Sequence, residues 1–266
     1  MLTKPLISVL SPAGPNARLS VLIFHRVAAR VDPLFPDDVD VRRFDEICTW
    51  LKRWFDVLPL DEAVLRLKTR TLPARAAVIT FDDGYRDNCE VALPVLQRHD
   101  LCATFFIATG FLDGGCMWND IVIEAVRRTN ESVIDLRPLG ICGLARLDVG
   151  DMRQKRAAID LVLRSLKYLP IDQRLDAALR MTALLGIRVP ADNMMTSNQV
   201  RALRAAGAKS NLFEPDAVTL VFQHSRGIPR LAQNLALNAL LAAASGGKKL
   251  VDADAVQQAL LERDSP

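Results

Sequence analysis

The amino-acid sequence predicts an α/β protein in which an incomplete (β/α) barrel is followed by a small appendage of three helices. Short apolar runs alternate with helical patterns between residues 20 and 111, as is typical of a parallel sheet or barrel. Near residue 208 the character changes, because only helical patterns follow. A length of 266 residues suits one α/β domain with such an appendage, and a hydrophobic content of 50% is ample for its core.

The first half of the chain alternates predicted strands and helices. The apolar runs predict strands at residues 20–24, 55–58, 76–81 and 103–108. Helical spacing of apolar residues predicts helices at residues 41–53, 60–69 and 87–99. Pro94 lies inside the last of these, and because proline has no backbone N–H we expect it to kink or restart that helix.

The flanking segments complete the predicted organisation. Residues 1–19 are rich in Pro, Gly and Ser and are expected to form a loose leader. After the first half, a short strand pair or loop insertion is expected at residues 132–148, and helices are predicted at residues 118–129, 151–166, 171–186 and 196–206. The appendage is predicted to contain helices at residues 214–224, 228–244 and 252–262.

Composition narrows the range of partners. The net charge of +3 arises from 34 basic and 31 acidic residues, which gives no case for a nucleic-acid partner. No apolar stretch reaches the roughly 20 residues that a membrane-spanning helix needs, and the N-terminus lacks a signal-peptide core. The five cysteines are odd in number and form no Cys-x-x-Cys pair, which favours free thiols in a reducing compartment. We therefore expect a cytoplasmic protein.

The clearest chemical signal is the pair Asp82-Asp83, which follows the apolar run at residues 76–81 and precedes Gly84. Catalytic groups collect where parallel strands end. Neighbouring residues on an extended chain point in opposite directions, so the two carboxylates are expected to differ in role, one binding a metal and the other handling a proton. The alternative is a strand followed by an ordinary Asp-Gly turn.

Several motifs around this pair resemble the NodB-homology polysaccharide deacetylases, which form carbohydrate esterase family four. The resemblance covers residues 20–207, and Thr80-Phe81-Asp82-Asp83-Gly84-Tyr85 is similar to the first motif of that family. The other similar segments are Val21–Val27, which contains His25-Arg26-Val27, and Phe55–Ala63, Ala103–Gly110 and Met194–Leu203. The resemblance implies a hydrolase that removes N-acetyl groups from an amino-sugar polysaccharide, on a barrel of the deacetylase type.

The resemblance also implies roles for particular residues. Asp82 would be the general base and Asp83 a ligand of a divalent metal, most simply zinc. His25 would lie near Asp83, either as a further ligand or in a structural role. Tyr85 and Trp118 would contact the substrate, although Trp118 suits a core position equally well.

The histidine motif that completes the metal site in this family is missing. His-Ser/Thr-x-x-x-His should follow Gly207 directly, but the chain continues there as Ala208-Lys209-Ser210-Asn211-Leu212-Phe213. A catalytic zinc usually has three protein ligands, and the whole chain holds only three histidines, at positions 25, 99 and 224. We therefore expect a deacetylase domain truncated at residues 20–208, with weak or absent metal binding and impaired activity; the alternative is a non-catalytic carbohydrate-binding protein.

The tail at residues 209–266 resembles the C-terminal lid of ExeA-type AAA ATPases, from Leu212–Leu235 through Lys248–Ala253. The resemblance implies that Arg230 is the remnant of a nucleotide sensor and that the tail docks on an ATPase partner. The chain has no P-loop, so the alternative is a plain helical appendage with Arg230 in solvent. Parts of two proteins joined near residues 207–211 suggest a gene fusion or deletion.

Overall fold

The structure is a computed structural model that describes residues 3–207, 213–226, 228–248 and 250–263. Its centre is a parallel sheet of four strands, β1 (Ser20–Phe24), β2 (Asp56–Val57), β3 (Ala76–Phe81) and β4 (Thr104–Phe105). This is the parallel α/β arrangement that the sequence predicted. Strands β2 and β4 are shorter than predicted, because only part of each apolar run pairs with β3.

Strand β3 organises the sheet, since the other three strands all pair with it. β1 runs along one edge, in register from Ser20 opposite Ala77 to Phe24 opposite Phe81. β2 pairs with the start of β3, and β4 pairs with its end. All six residues of β3 are buried, which agrees with a sequence that is apolar except at Thr80. The carboxyl ends of β1, β3 and β4 therefore meet at one edge of the sheet.

The segments around the sheet include the N-terminal helix α1 (Thr3–Leu10), α2 (Val41–Trp54), α3 (Leu60–Lys68) and α4 (Leu93–Arg98). The predicted helix at residues 87–99 begins instead as a π-helical turn, Asn88–Ala92, and becomes α-helical at Leu93. This change falls just before Pro94, which cannot donate a backbone hydrogen bond. The expected restart at the proline is therefore confirmed.

One face of the sheet is covered by an apolar cluster, here called the sheet cluster. It is built on aromatic contacts between Phe24 and Phe44, Phe24 and Phe81, and Phe81 and Phe105, with ring centroids 5.0 to 5.4 Å apart. The other face of β1 is less covered, because Val21 is 50% and Ile23 is 60% exposed. On that face the packing is therefore confined to β2 and β3, where Ala76 and Val78 lie in a small cluster with Leu58, Ala63 and Leu72.

A second layer of helices follows the sheet. It contains α5 (Trp118–Arg128), a hairpin of β5 (Val133–Asp135) and β6 (Arg146–Asp148), α6 (Met152–Leu166) and α7 (Ile171–Leu185). These elements enclose a core of their own, the helical cluster, which includes Ile121, Ile134, Ile159 and Met181. The predicted helices and the strand pair at residues 132–148 are confirmed. Helix α8 (Ser197–Gly207) then returns toward the turn that contains Asn88.

The C-terminal part consists of α9 (Pro215–Ser225), α10 (Pro229–Ser245) and α11 (Ala253–Arg263). Their apolar side chains form a separate tail cluster that includes Ala217, Leu235, Ala239 and Val256. The three helices agree with the predicted pattern. That the barrel is incomplete, and that this tail is an appendage with boundaries at residues 208 and 209, stay predictions.

The N-terminal segment differs from the expected loose leader. Residues Thr3–Leu10 form a helix, and the Arg75 N–H just before β3 donates to the carbonyl oxygen of Ser11 at 2.9 Å. The Arg75 guanidinium also donates to the Ser8 hydroxyl at 2.6 Å. Composition alone missed these anchors because they come from a residue distant in sequence. No helix in the described part of the chain has the length and apolar character needed to span a membrane.

Candidate functional site

The Asp82-Asp83-Gly84 segment forms a tight turn at the carboxyl end of β3. Asp83 has a left-handed backbone with φ of 73°, and the Gly84 N–H donates to the Asp82 carbonyl at 2.9 Å, as in a γ-turn. Asp tolerates this conformation better than most residues, and Gly84 continues it with φ of 80°. The backbone is therefore not extended at Asp83, in contrast to the expectation from strand geometry. Strained backbone of this kind clusters at functional sites.

Three neighbouring segments hold this turn in place. The Asp82 N–H donates to the carbonyl oxygen of Phe24 at 2.9 Å, which ties the turn to the end of β1. The Ala108 N–H donates to the Asp83 carbonyl at 3.1 Å, and the Met195 N–H donates to the Gly84 carbonyl at 3.0 Å. The two carboxylates therefore sit on a backbone fixed from three sides.

His25 lies within electrostatic range of Asp83, as the resemblance implied. Burial raises the pKa of Asp83 above its ordinary value; the charge of His25 opposes this rise and the charge of Asp82 adds to it. His25 is exposed at the end of β1, whereas Asp82 and Asp83 are half-buried. Asp82, Asp83 and His25 thus form one constellation that is open to solvent.

A hydrogen-bonded network beside this constellation joins the loop after β1 to the turn after β3. Asp87 accepts from Arg26 Nε at 2.8 Å and from the Val27 N–H at 3.3 Å. The Asn88 amide donates to the His25 carbonyl at 2.9 Å and to Asp87 at 3.2 Å. The network fixes the backbone from the His25 carbonyl to the Val27 N–H. Burial raises the pKa of Asp87, and the charge of Arg26 opposes that rise.

Tyr85 and Asp120 form the inner wall of the site. Tyr85 is only 3% exposed, and the guanidinium of Arg26 lies 4.6 Å from the centre of its ring. Asp120 on α5 is 5% exposed; burial raises its pKa, and a hydrogen bond from Tyr85 and the charge of Arg26 oppose the rise. Tyr85 therefore contacts Arg26 and Asp120 from an almost fully buried position, and its contact with a substrate stays a prediction.

The sequence analysis gave no role to four residues of this site: Arg26, Asp87, Asn88 and Asp120. Two of them follow Asp82-Asp83 within a few residues, and Asp120 stands two residues after Trp118. The one signal in the sequence that could have indicated these residues is the high density of acidic residues just after the buried strand β3. It did not indicate that the first helix of the second layer would bring Asp120 to the same edge of the sheet.

Trp118 begins α5, and its partly buried side chain packs against the helical cluster. The guanidinium of Arg174 on α7 lies 5.8 Å from the centre of its ring. This position agrees with the core alternative, and its contact with a substrate stays a prediction. Arg230 lies on α10, but its side chain falls outside the described part of the structure, so its role as a sensor remnant stays a prediction.

The residues present do not fit a catalytic metal. Catalytic zinc takes three protein ligands and leaves one position open, whereas among the described residues His25 is the one histidine that interacts with Asp83. His99 is bound to Asp45 at 2.9 Å, and His224 lies on α9 in the tail. Within the described ranges, no three His, Cys, Asp or Glu side chains are grouped to hold a metal ion, and residues 208–212 contain none of these types.

Comparison with known proteins identifies relatives of part of the chain. The family model described as polysaccharide deacetylase matches residues 69–132. A curated protein of Bacillus subtilis (strain 168), named "Putative polysaccharide deacetylase YxkH", is 33% identical over 93 residues. Those residues are 34% of this chain and 32% of that protein, so the chain spans about a third of the length of this curated relative.

Solved structures show a weaker likeness. A de-N-acetylase from Aggregatibacter actinomycetemcomitans is 18% identical, with 91% of this chain and 84% of that chain covered and a TM-score of 0.41. IcaB from Ammonifex degensii is 19% identical, with 84% of this chain and 98% of that chain covered and a TM-score of 0.30. The assignment therefore depends on the sequence matches. Residues 69–132, which carry the Asp82-Asp83 turn, resemble the polysaccharide deacetylases.

Proposed function

We propose that this chain carries a polysaccharide-deacetylase site that binds an N-acetylated amino-sugar polymer but hydrolyses its acetamide groups very slowly or not at all. The observation that carries the proposal is the strained Asp82-Asp83 turn at the end of β3, in the segment that matches the family. The nearby His25 supports it, since the resemblance implied a histidine beside Asp83. The missing third ligand is the reason for the expected loss of activity.

The chemistry available to the described residues supports binding of the polymer with little or no hydrolysis. In amide hydrolysis the water oxygen bonds to the acetyl carbonyl carbon, the C–N bond breaks, and the water proton ends on the amine nitrogen. Asp82 is half-buried beside Asp83 and could accept that proton from water. General-base catalysis typically contributes 10²- to 10⁴-fold. A base of this kind, without a group that polarises the carbonyl, leaves most of the barrier in place.

The test measures hydrolysis and binding separately. The purified chain is incubated with N-acetylglucosamine oligomers, with and without added zinc, and released acetate is quantified. We expect no release above that of Asp82→Asn, together with oligomer binding by calorimetry that Asp82→Asn weakens. Asp61→Asn, at an exposed position of α3, is the matched control and should leave binding unchanged.

Two results would contradict the proposal. Zinc-dependent acetate release that is abolished by Asp82→Asn would show an active deacetylase and overturn the expected inactivity. Failure of the wild-type chain to bind any oligomer would contradict the proposed saccharide-binding site.

A further inference from the structure

Helix α7 carries large apolar side chains on the face that it turns to solvent. Its inner face packs in the helical cluster, whereas Ile171, Leu175 and Leu179 on the outer face are 70%, 40% and 51% exposed. Residues four apart are neighbours on a helix surface, so these three form one row, here called the α7 stripe. The exposed ring of Tyr168 stands just before the helix begins.

Helix α6 of the same layer has a different outer face. Its inner face also lies in the helical cluster, but its exposed positions include the charged residues Arg153, Asp160 and Arg164. Apolar residues that are exposed singly are ordinary in soluble proteins, whereas contiguous ones mark surfaces of interaction. The α7 stripe is therefore a candidate surface for a protein partner.

The charged residues beside the stripe are divided by sign along the helix. Asp172 and Asp176 lie in its first half, and Arg180 lies in its second half. Asp176 accepts a long hydrogen bond from Arg180 Nη1 at 3.4 Å, whereas Asp172 has no ion pair within the described ranges of the chain. Arg180 Nη2 donates to the Leu139 carbonyl at 2.9 Å, which leaves its Nε for a further acceptor.

This division of charge fits a second copy of the same helix that runs in the opposite direction. With a two-fold axis at Leu175, Ile171 of one copy lies opposite Leu179 of the other. Asp172 and Arg180 directly follow these two residues in the chain, so Asp172 of one copy then lies near Arg180 of the other. A parallel pair would instead place Asp172 against its own counterpart, and like charges repel.

We propose that this chain forms a two-fold dimer through α7, with the two helices antiparallel and the α7 stripe at the centre of the contact. The stripe supplies the apolar core of the interface, and Asp172 and Arg180 lie in its polar rim. Self-complementary contacts of this kind are the commonest in homo-oligomers. The contact uses none of the residues named for the proposed function, so either proposal can fail without the other.

Sedimentation equilibrium of the purified full chain tests the dimer. At micromolar concentrations we expect a mass twice the 29.4 kDa of one chain. Leu175→Lys should weaken the association by about tenfold or more, because it places two ammonium groups at the centre of the contact. Leu65→Lys is the matched control, since Leu65 is also exposed but lies on α3, and it should leave the dissociation constant unchanged.

Charge reversal tests the antiparallel arrangement. Asp172→Arg and Arg180→Asp should each weaken the homodimer, because like charges then face each other across the axis. An equimolar mixture of the two variants should form a heterodimer, because opposite charges then meet at both ends of the contact. Far-UV circular dichroism and thermal unfolding identify a variant that does not fold. If Arg180→Asp does not fold, Asp172→Arg and Leu175→Lys decide the result.

Three results would overturn the inference. The first is a wild-type chain that stays monomeric over the whole concentration range. The second is a dimer that Leu175→Lys leaves intact, or that Leu65→Lys weakens equally, because the contact then lies elsewhere. The third is a mixture of the charge variants that associates no better than each variant alone, which excludes the antiparallel pairing. None of these results bears on saccharide binding.

Discussion

Asp83 and Gly84 carry left-handed backbone angles side by side, with φ of 73° and 80°. A non-glycine residue held in this region costs of order 1 to 3 kcal/mol, and it persists only where the surrounding structure enforces it. Here the enforcement is visible, because Phe24, Ala108 and Met195 each share a backbone hydrogen bond with the turn. The turn is a place where the chain gives up stability to position two carboxylates.

Gly84→Ala should therefore destabilise the protein. An added Cβ would lie 2.9 Å from Ile107 Cγ2 and 3.3 Å from Ile107 Cα, and alanine disfavours a φ of 80°. We expect the free energy of unfolding, measured by urea denaturation, to fall by about 1 to 3 kcal/mol. Gly110→Ala is the matched control, because nothing lies within 4 Å of its added Cβ. An equal loss in both variants would argue against a special role of the turn.

At the scale of single residues, the sequence predicted the site best where its residues are adjacent in the chain. Asp82 and Asp83 follow one another at the end of a buried strand, so the residues themselves indicate the site. Arg26, Asp87 and Asp120 come from two different loops and a helix, and their convergence depends on distances that no local pattern contains. Tyr85 was found from the resemblance, but its burial behind Arg26 became clear only from packing.

At the level of elements, β3, α5 and α7 match the predictions within a residue or two. Their signals are strong because an uninterrupted apolar run or several helical turns of apolar spacing leave few alternatives. Strand β4 is different. Its apolar run at residues 103–108 pairs only at Thr104 and Phe105, because strand length depends on a neighbour and not on the run itself.

The outer edge of β4 borders a groove of about 610 Å³, which is also lined by residues of α3, α4 and α8. Val200 and Leu203 of α8 belong to this lining. Helix α8 therefore partly covers the outer edge of β4. Unpaired strand edges favour association with other chains, and partial cover by a helix reduces that risk.

Hydrogen exchange should reveal the open edge of β4. The Phe106 N–H donates to the Phe81 carbonyl at 2.7 Å, and the Ala108 N–H donates to the Asp83 carbonyl at 3.1 Å. The intervening Ile107 N–H, like that of Phe105, points away from β3 because neighbours on a strand alternate. We expect amide exchange by NMR to be at least tenfold slower at Phe106 and Ala108 than at Phe105 and Ile107. Equal protection of all four would show that another segment pairs with this edge.

A salt bridge ties the loop after β1 to α5. Asp32 accepts from Arg127 Nη1 at 2.8 Å and from Nη2 at 2.6 Å, and both side chains are partly buried. The hydrogen bonds from Arg127 are the main cause that lowers the pKa of Asp32 below its ordinary value. A lowered pKa in the folded state means that the ion pair stabilises the protein above the unfolded pKa and that this contribution is lost as the pH falls.

Asp32→Asn should therefore lower the free energy of unfolding by about 1 to 2 kcal/mol at pH 7. The gap between wild type and variant should close as the pH falls below about 4, where the unfolded carboxylate takes up a proton. Asp37→Asn is the matched control, because Asp37 is 89% exposed and lies 3.6 Å from Arg156. A gap that stays constant from pH 7 to pH 3 would contradict the assignment to this ion pair.

Across the whole molecule, apolar residues form separate clusters. The buried members of the sheet cluster and the helical cluster end at Met181, whereas those of the tail cluster run from Ala217 to Ala259. Lys68 on α3 reaches the tail, where its ammonium donates to the Leu241 carbonyl at 3.0 Å and to the Ser245 hydroxyl at 3.2 Å. Exposed contacts of this kind contribute little to stability. Docking of the tail on an ATPase stays a prediction.

Unfolding should consequently occur in more than one step. The three tryptophans, Trp50, Trp54 and Trp118, all precede the tail, so their fluorescence reports on the sheet and the helical layer. Far-UV circular dichroism reports in addition on α9, α10 and α11. Because the clusters do not share residues, we expect the two signals to give urea transitions with different midpoints, in contrast to two-state behaviour.

Lys68→Ala should leave both midpoints unchanged, since it removes only exposed hydrogen bonds. Coincident transitions in the wild type would show that the tail and the sheet unfold as one cooperative unit, and a shared shift in Lys68→Ala would locate the coupling at α3 and α10.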